Sequence, residues 1–159
     1  MKKGFLRFIF FICIPLTTYS QEKSLPTPQP YFTALIVEDI DQSIDWYTSF
    51  LGLEVHNKTE LKERGLAIAN LKKEGIWLEL IEMKSAISLS ELMKDKENTS
   101  RIHGIFKTGF LLSDFDKWIS FLEETNVHFH GSVVKDNNTG KRTVIIKDPD
   151  GNSIQLFEN

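Results

Sequence analysis

Two stretches of the chain share one pattern of apolar and polar positions. The first, FTALIVEDIDQSIDWY, begins at Phe32, and the second, KTGFLLSDFDKWISFL, begins at Lys107. In each stretch the side chains alternate as in a strand, reach an Asp-apolar-Asp step at Asp39 or Asp114, and then follow helical spacing. The chain is therefore predicted to contain one structural unit twice.

Each copy predicts a strand followed by a helix. The strand FTALIV is apolar on both faces, which indicates a helix on one side and a cavity on the other. Asp39 or Asp41 can cap the first helix, and Gly52 is placed to end it. The second helix is expected to end at Asn126. The apolar residues that form the two helical stripes are Ile40, Ile44, Tyr47 and Leu51, and then Phe115, Trp118, Ile119 and Leu122.

Three short apolar runs after each helix are predicted to be strands. They are LEVHNK, LAIANL and IWLELIEM in the first copy, and VHFHGSVV, RTVIIK and NSIQLFE in the second. Turn residues near Gly75, near Gly140 and in DPDGN separate these runs. Each module is thus predicted as βαβββ, with module 1 at about residues 31–84 and module 2 at about 104–158. Residues 85–103 form a linker with a short helix, for which Ser88 or Ser90 is the candidate cap.

The first 20 residues are typical of an export signal. Lys2, Lys3 and Arg7 precede the apolar run FIFFICIPL, and small residues stand before Gln21. That run is much shorter than the roughly 20 residues that span a bilayer as a helix, so cleavage is favoured over retention as an anchor. Cys13 lies in this segment, so the mature chain would have neither a disulfide nor a thiol nucleophile. The predicted location is periplasmic or extracellular.

Composition narrows the class of partner. Loss of the signal segment would change the formal net charge from −3 to about −6. An acidic chain of this kind argues against nucleic acid as a partner. The polar, proline-rich residues 21–30 are predicted to be a linker, and the folded domain is expected at residues 31–158.

The duplicated βαβββ pattern, IDWYTSFLGLEV and DPDGNSIQLFE together resemble the vicinal oxygen chelate superfamily. This superfamily includes glyoxalases, bleomycin resistance proteins and extradiol dioxygenases, and the resemblance covers nearly all of residues 31–158. It implies an α+β fold in which two tandem modules form a curved, cup-like sheet. It also implies that two chains can pair around their cups as a homodimer.

In the metal-dependent members of this family, the first and last strands of each module supply four ligands. The matching positions here are Phe32, Glu79, Lys107 and Gln155. One carboxylate, one amide, a cation and a ring are a poor ligand set for a divalent ion. We therefore expect no catalytic metal, and an ion pair between Glu79 and Lys107 could occupy the site.

Strand alternation also predicts which side chains line the cup. Two large aromatic side chains flank the charged positions, an arrangement that suits a flat or partly apolar small organic molecule. The residues predicted to bind such a ligand are Phe32, Trp77, Glu79, Lys107, Gln155 and Phe157. The alternative is a cup that these same side chains fill.

Catalysis is the less favoured hypothesis. A proton transfer without metal would use Glu79 as the base and Lys107 to stabilise the anion. The metal-dependent alternative is a glyoxalase-like lyase or a dioxygenase that holds Zn, Ni, Mn or Fe through Glu79, Gln155 and His103. His128 and His130 have a spacing found in metal sites, but without a third ligand they are interpreted as surface residues.

The sequence therefore favours an exported, metal-independent protein that binds a small molecule and has no membrane contact after signal cleavage. A structural or interaction role is the third hypothesis.

Overall fold

The computed structural model describes residues 27–95 and 103–159. The predicted signal segment with Cys13, the first part of the proline-rich linker and part of the linker between the modules lie outside the described residues. Tyr31–Asn159 form one compact unit. Within the described part of the chain, every helix is too short or too polar to span a membrane.

The elements occur in the predicted order. Module 1 consists of β1 (Thr33–Val37), α1 (Ile40–Leu51), β2 (Glu54–Leu61), a 3-10 turn (Lys62–Arg64), β3 (Leu66–Lys73) and β4 (Ile76–Met83). A short helix, α2 (Leu89–Leu92), follows in the linker. Module 2 consists of β5 (Lys107–Leu112), α3 (Phe115–Glu124), β6 (Val134–Lys135), β7 (Arg142–Lys147) and β8 (Ser153–Glu158). The prediction of two tandem βαβββ modules is confirmed.

The two modules have the same strand connections. Sheet 1 has the order β1-β4-β3-β2 and sheet 2 has the order β5-β8-β7-β6. In each sheet the first strand pairs in parallel with the last, and the other neighbours are antiparallel. The sequence repeat is thus a repeat of topology.

The helices begin in different ways although their sequences match. Asp39 caps α1 by accepting a hydrogen bond from the Gln42 backbone N–H at 2.9 Å, and Gly52 ends the helix at φ 65°. Asp114, its counterpart, has a positive φ of 57° and makes no capping bond. Asp116 instead accepts a bond from Arg142 Nη1 at 2.6 Å. An ion pair to β7 therefore holds the start of α3.

The core lies between the helices and the faces of the sheets that they cover. The predicted stripes are confirmed, because Ile40 and Tyr47 of α1 and Phe115 and Leu122 of α3 are buried, and the other stripe residues pack against them. The sheets contribute these buried residues: Ala69, Leu71, Leu78 and Leu80 from sheet 1, and Val144, Ile146, Ile154 and Leu156 from sheet 2.

The run VHFHGSVV is less regular than predicted. Phe129 forms an isolated bridge with Ile146, and the strand β6 contains only Val134 and Lys135. Gly131 lies between them at φ 93°, a conformation that interrupts an extended strand. The predicted strand is therefore split in two.

The DPDGN loop joins the modules. Asp148 is 5% exposed and accepts a hydrogen bond from Tyr47 Oη at 2.8 Å. Asp150 accepts bonds from the Glu38 backbone N–H at 2.7 Å and from Ser43 Oγ at 3.3 Å. We call these contacts the intermodule latch. Burial, and then the charge of Asp148, raise the pKa of Tyr47 far above its ordinary value. Burial likewise raises the pKa of Asp150.

Candidate ligand-binding faces

Each sheet has one face that its helix covers and an opposite face that we call its open face. Residues paired across two strands have their side chains on the same face of the sheet, so the register shows which face each side chain occupies. The open face of sheet 1 carries Ala34, Ile36, Ile68, Asn70, Trp77, Glu79 and Ile81. The open face of sheet 2 carries Lys107, Gly109, Leu111, Ile145, Lys147, Ser153, Gln155 and Phe157. Ile36 is 54% exposed and Leu111 is 63% exposed, so each face is accessible at its first strand, whereas Ser153 and Gln155 in the interior of sheet 2 are buried.

Aromatic rings cluster at one end of the open face of sheet 1. The ring centroids of Phe32 and Trp77 are 6.5 Å apart, and the Tyr31 ring lies 4.6 Å from that of Trp77. Lys72 Nζ stands 3.6 Å from the centroid of the Trp77 ring, a cation–π geometry. Trp77 is therefore engaged by Lys72 and Tyr31, and Phe32, 53% exposed, offers the more accessible ring.

A chain of amide hydrogen bonds crosses the same face. Trp77 Nε1 donates to Asn70 Oδ1 at 2.8 Å, and Asn70 Nδ2 donates to Asn57 Oδ1 at 2.9 Å. Glu79 lies between Asn70 and Ala34 in the register. The Glu79 carboxylate has no hydrogen bond or ion pair to any residue in 27–95 or 103–159, so it remains available to a donor from a ligand.

Gln155 is positioned by sheet 2. The side chain is 7% exposed, and its Nε2 donates to Thr143 Oγ1 at 3.0 Å. The hydroxyl of Thr143 in turn donates to the Leu156 carbonyl at 2.7 Å. These bonds fix the orientation of the amide, whose oxygen accepts no bond from the described residues.

The predicted ion pair between Glu79 and Lys107 is wrong for this structure. No side-chain nitrogen and oxygen of these two residues lie within 4.0 Å, and the two belong to different sheets. The charge of Lys107 acts instead on Asp136. The pKa of Asp136 lies below its ordinary value because of hydrogen bonds from Thr139, with a smaller contribution from Lys107.

The six predicted ligand-binding residues fall into two sets. Phe32, Trp77 and Glu79 belong to module 1, while Lys107, Gln155 and Phe157 share the open face of sheet 2. Among the residues described, no hydrogen bond, ion pair or ring contact joins one set to the other. The structure therefore groups the predicted ligand-binding residues by module and shows no direct contact between the two groups.

His128 and His130, which the sequence predicts to be surface residues, are exposed and lie on the open face of sheet 2. The Lys147 N–H donates to the His128 carbonyl at 2.9 Å, and the His130 N–H donates to the Ile145 carbonyl at 2.8 Å. The bridge between Phe129 and Ile146 puts those two on the helix-covered side, so both histidines lie on the opposite side. The alternation around Phe129 was the signal for this placement.

Two of the four family ligand positions carry side chains that cannot bind a metal. The phenyl ring of Phe32 and the ammonium group of Lys107 donate no lone pair, which leaves the Glu79 carboxylate and the Gln155 amide oxygen as the remaining donors. No cluster of three or more His, Cys, Asp or Glu within residues 27–95 and 103–159 could hold an ion. His103 is exposed and precedes β5.

A wide cleft of about 590 Å³ opens elsewhere, at the start of α3. Three of its charged groups form one network, since Arg142 bonds to Asp116 at 2.6 Å and to Glu158 at 2.8 Å, whereas Asp114 and Lys117 form no ion pair with a described residue. Both carboxyl pKa values are lowered by these hydrogen bonds. The Arg142 network in this cleft therefore anchors the start of α3.

Two tandem βαβββ modules, each a four-stranded sheet with a helix on one face, define a class of proteins. The model of the Glyoxalase/Bleomycin resistance protein/Dioxygenase superfamily matches residues 30–156, and the chain belongs to this superfamily. A search of curated proteins found no significant match.

Solved structures of the superfamily share the fold. A glyoxalase family protein from Enterococcus faecalis is 21% identical with a TM-score of 0.70, covering 82% of this chain and 97% of that one. A glyoxylase/bleomycin resistance protein/dioxygenase domain from Frankia sp. EAN1pec is 16% identical with a TM-score of 0.67, covering 84% and 93%. The trypanothione-dependent glyoxalase I of Leishmania major is 20% identical with a TM-score of 0.61, covering 83% and 87%. At these identities the likeness is one of fold.

Proposed function

We propose that this member of the superfamily is an exported protein that binds a small organic molecule without a catalytic metal. The donor chemistry at the four family positions carries the proposal. Phe32 and Lys107 offer no lone pair to an ion, so that only the Glu79 carboxylate and the neutral amide oxygen of Gln155 remain as donors, a weak set for a divalent ion. Binding by sequestration requires only shaped, accessible faces, and both open faces supply exposed apolar side chains.

The side chains on the open faces indicate which chemical groups the ligand should carry. Phe32 provides a ring surface, and Glu79 provides an acceptor without a protein partner in the described ranges. Gln155 provides a rigid amide oxygen. A partly aromatic molecule with N–H or O–H donors matches these groups. Pairing of two chains around these faces is part of the proposal, since it would cover apolar side chains that one chain leaves exposed.

Metal retention tests the proposal first. The purified protein is incubated with Zn, Ni, Mn and Fe in turn, desalted, and analysed for metal, with Glu79→Ala as the matched variant. We expect no stoichiometric metal in either protein. One equivalent retained by the wild type and lost with Glu79→Ala would refute metal independence and favour the lyase or dioxygenase alternative, which glyoxalase and dioxygenase assays would then test.

Export is tested on the full-length chain. Expression in a Gram-negative host should place the protein outside the cytoplasm, with Gln21 as the first residue by mass spectrometry. An intact N-terminus in the cytoplasmic fraction would contradict this part of the proposal.

A further inference from the structure

The open face of sheet 2 is graded from basic to apolar along its strands. Neighbouring residues across the sheet form three successive rows, and successive rows are about 7 Å apart. The basic row contains Lys107, Ser153, Lys147 and His128. The amide row contains Gly109, Gln155, Ile145 and His130. The apolar row contains Leu111, Phe157 and Val134, and the buried Thr143 lies between Phe157 and Val134 in the register.

From this gradient we propose that the open face of sheet 2 binds an amphiphilic organic anion, with its acidic group at the basic row and its apolar part at the apolar row. The inference rests on the proposed small-molecule binding and specifies the class of ligand. A carboxylate, sulfonate or phosphate head group has the charge that the basic row attracts.

Two lysines supply the fixed charge of the basic row. Lys147 Nζ donates to Ser153 Oγ at 2.7 Å and to the Gly151 carbonyl at 2.9 Å, which holds the ammonium group on the open face and leaves one of its N–H groups for a ligand. Lys107 is exposed, and Asp136 is the carboxylate whose pKa its charge affects. No ion pair within 4.0 Å involves either lysine among the residues that the structure describes.

The amide row supplies an oriented acceptor. The Gln155 oxygen accepts no hydrogen bond from the described residues. A buried amide held by Thr143 and directed to an open face is suited to an N–H or O–H group in the middle of a ligand.

Gly109 leaves room above the amide row. A Cβ built at Gly109 would lie 3.7 Å from the Gln155 carbonyl oxygen and 3.8 Å from Phe157 Cε2, which are ordinary contacts. A side chain there would occupy the face without backbone strain. Gly109→Val is therefore expected to block a ligand and leave the fold intact.

The test uses two fluorescent probes with the same ring system and the same N–H group. One is 1-anilinonaphthalene-8-sulfonate, an anion, and the other is N-phenyl-1-naphthylamine, which is neutral. We expect the anion to bind about tenfold more tightly at low salt. Lys107→Gln should remove most of that preference and leave the neutral probe unaffected. Gly109→Val should lower the affinity for both probes at least tenfold and leave the melting temperature of the protein unchanged.

The matched control is Lys117→Gln on α3, which removes an exposed lysine from the other side of sheet 2 and should change neither affinity. Equal affinities for the two probes, or a preference that survives Lys107→Gln, would overturn the anion inference while small-molecule binding stands. Failure of both probes to bind below about 1 mM would also overturn it. Metal retention remains the separate test of the proposed function.

Discussion

The intermodule latch gives the sharpest prediction for stability. Tyr47→Phe removes one hydroxyl from a site where Tyr47 is 1% exposed and Asp148 is 5% exposed. The carboxylate loses its 2.8 Å bond from Tyr47 Oη and keeps its bonds from Asp150 N–H and from Asn152. A hydrogen bond to a charged group contributes roughly 1.5–3 kcal/mol, so we expect a loss of about 2 kcal/mol.

That loss converts to a measurable shift in melting temperature. An unfolding entropy of roughly 2.1 cal/mol/K per residue over about 130 residues gives about 7 °C. Differential scanning calorimetry and urea unfolding both measure it. Tyr31→Phe is the matched control, because Tyr31 is 66% exposed and should shift by less than about 1 °C.

A double-mutant cycle with Asp148→Asn isolates the pair. Since the two side chains bond directly, we expect a coupling energy of at least about 1 kcal/mol between Tyr47→Phe and Asp148→Asn. Additive effects, or a single-variant shift no larger than that of Tyr31→Phe, would refute the idea that this bond holds the modules together.

Four further variants test other parts of the structure. Asp150→Asn should be neutral or stabilising at pH 7, because burial raises the pKa of Asp150 and makes its ionised form costly. As pH falls through that raised pKa, the free energy of unfolding of the wild type should rise relative to that of the variant. Parallel pH profiles of the two proteins in urea unfolding would contradict this. Arg142→Gln should lower the melting temperature at pH 7, and because its two partner carboxyls have lowered pKa values, the difference should vanish as pH falls below their ordinary values near 4; a difference that persists at pH 2 would be inconsistent with this. Leu80→Ala, at a fully buried position, should cost about 2–5 kcal/mol in urea unfolding, and a loss below about 1 kcal/mol would show that Leu80 is not core. Lys107→His should raise divalent-metal affinity, measured by calorimetry, if the four family positions converge, whereas unchanged affinity would show that they do not.

Local sequence patterns predicted the elements well because the forces that form them are local. IWLELIEM and RTVIIK match β4 and β7 residue for residue, and Gly52 ends α1 as its left-handed conformation requires. The prediction of a single strand for VHFHGSVV was wrong because Gly131, at positive φ, interrupts the extended backbone. A glycine inside an apolar run is a signal of that kind.

Contacts between modules could not be read in this way. Alternation correctly put Glu79 and Lys107 on open faces, but parity along a strand says nothing about how two sheets are placed. For the same reason Asp148 and Asp150 were recognised as turn residues, whereas their bonds to Tyr47 and Ser43 depend on residues far away in sequence.

Each sheet has two edge strands, and one edge strand of each sheet is built in a way that discourages further strands from joining. In sheet 1 this strand is β2, which has an irregular register between Val55 and Asn57 and carries the charged Lys58 and Glu60. In sheet 2 it is β6, which is only two residues long. Bulged, charged or very short edges are poor templates for β-addition. Another copy therefore finds little backbone to extend at β2 and β6, and fibrous aggregation through these two edges is disfavoured even where the protein accumulates.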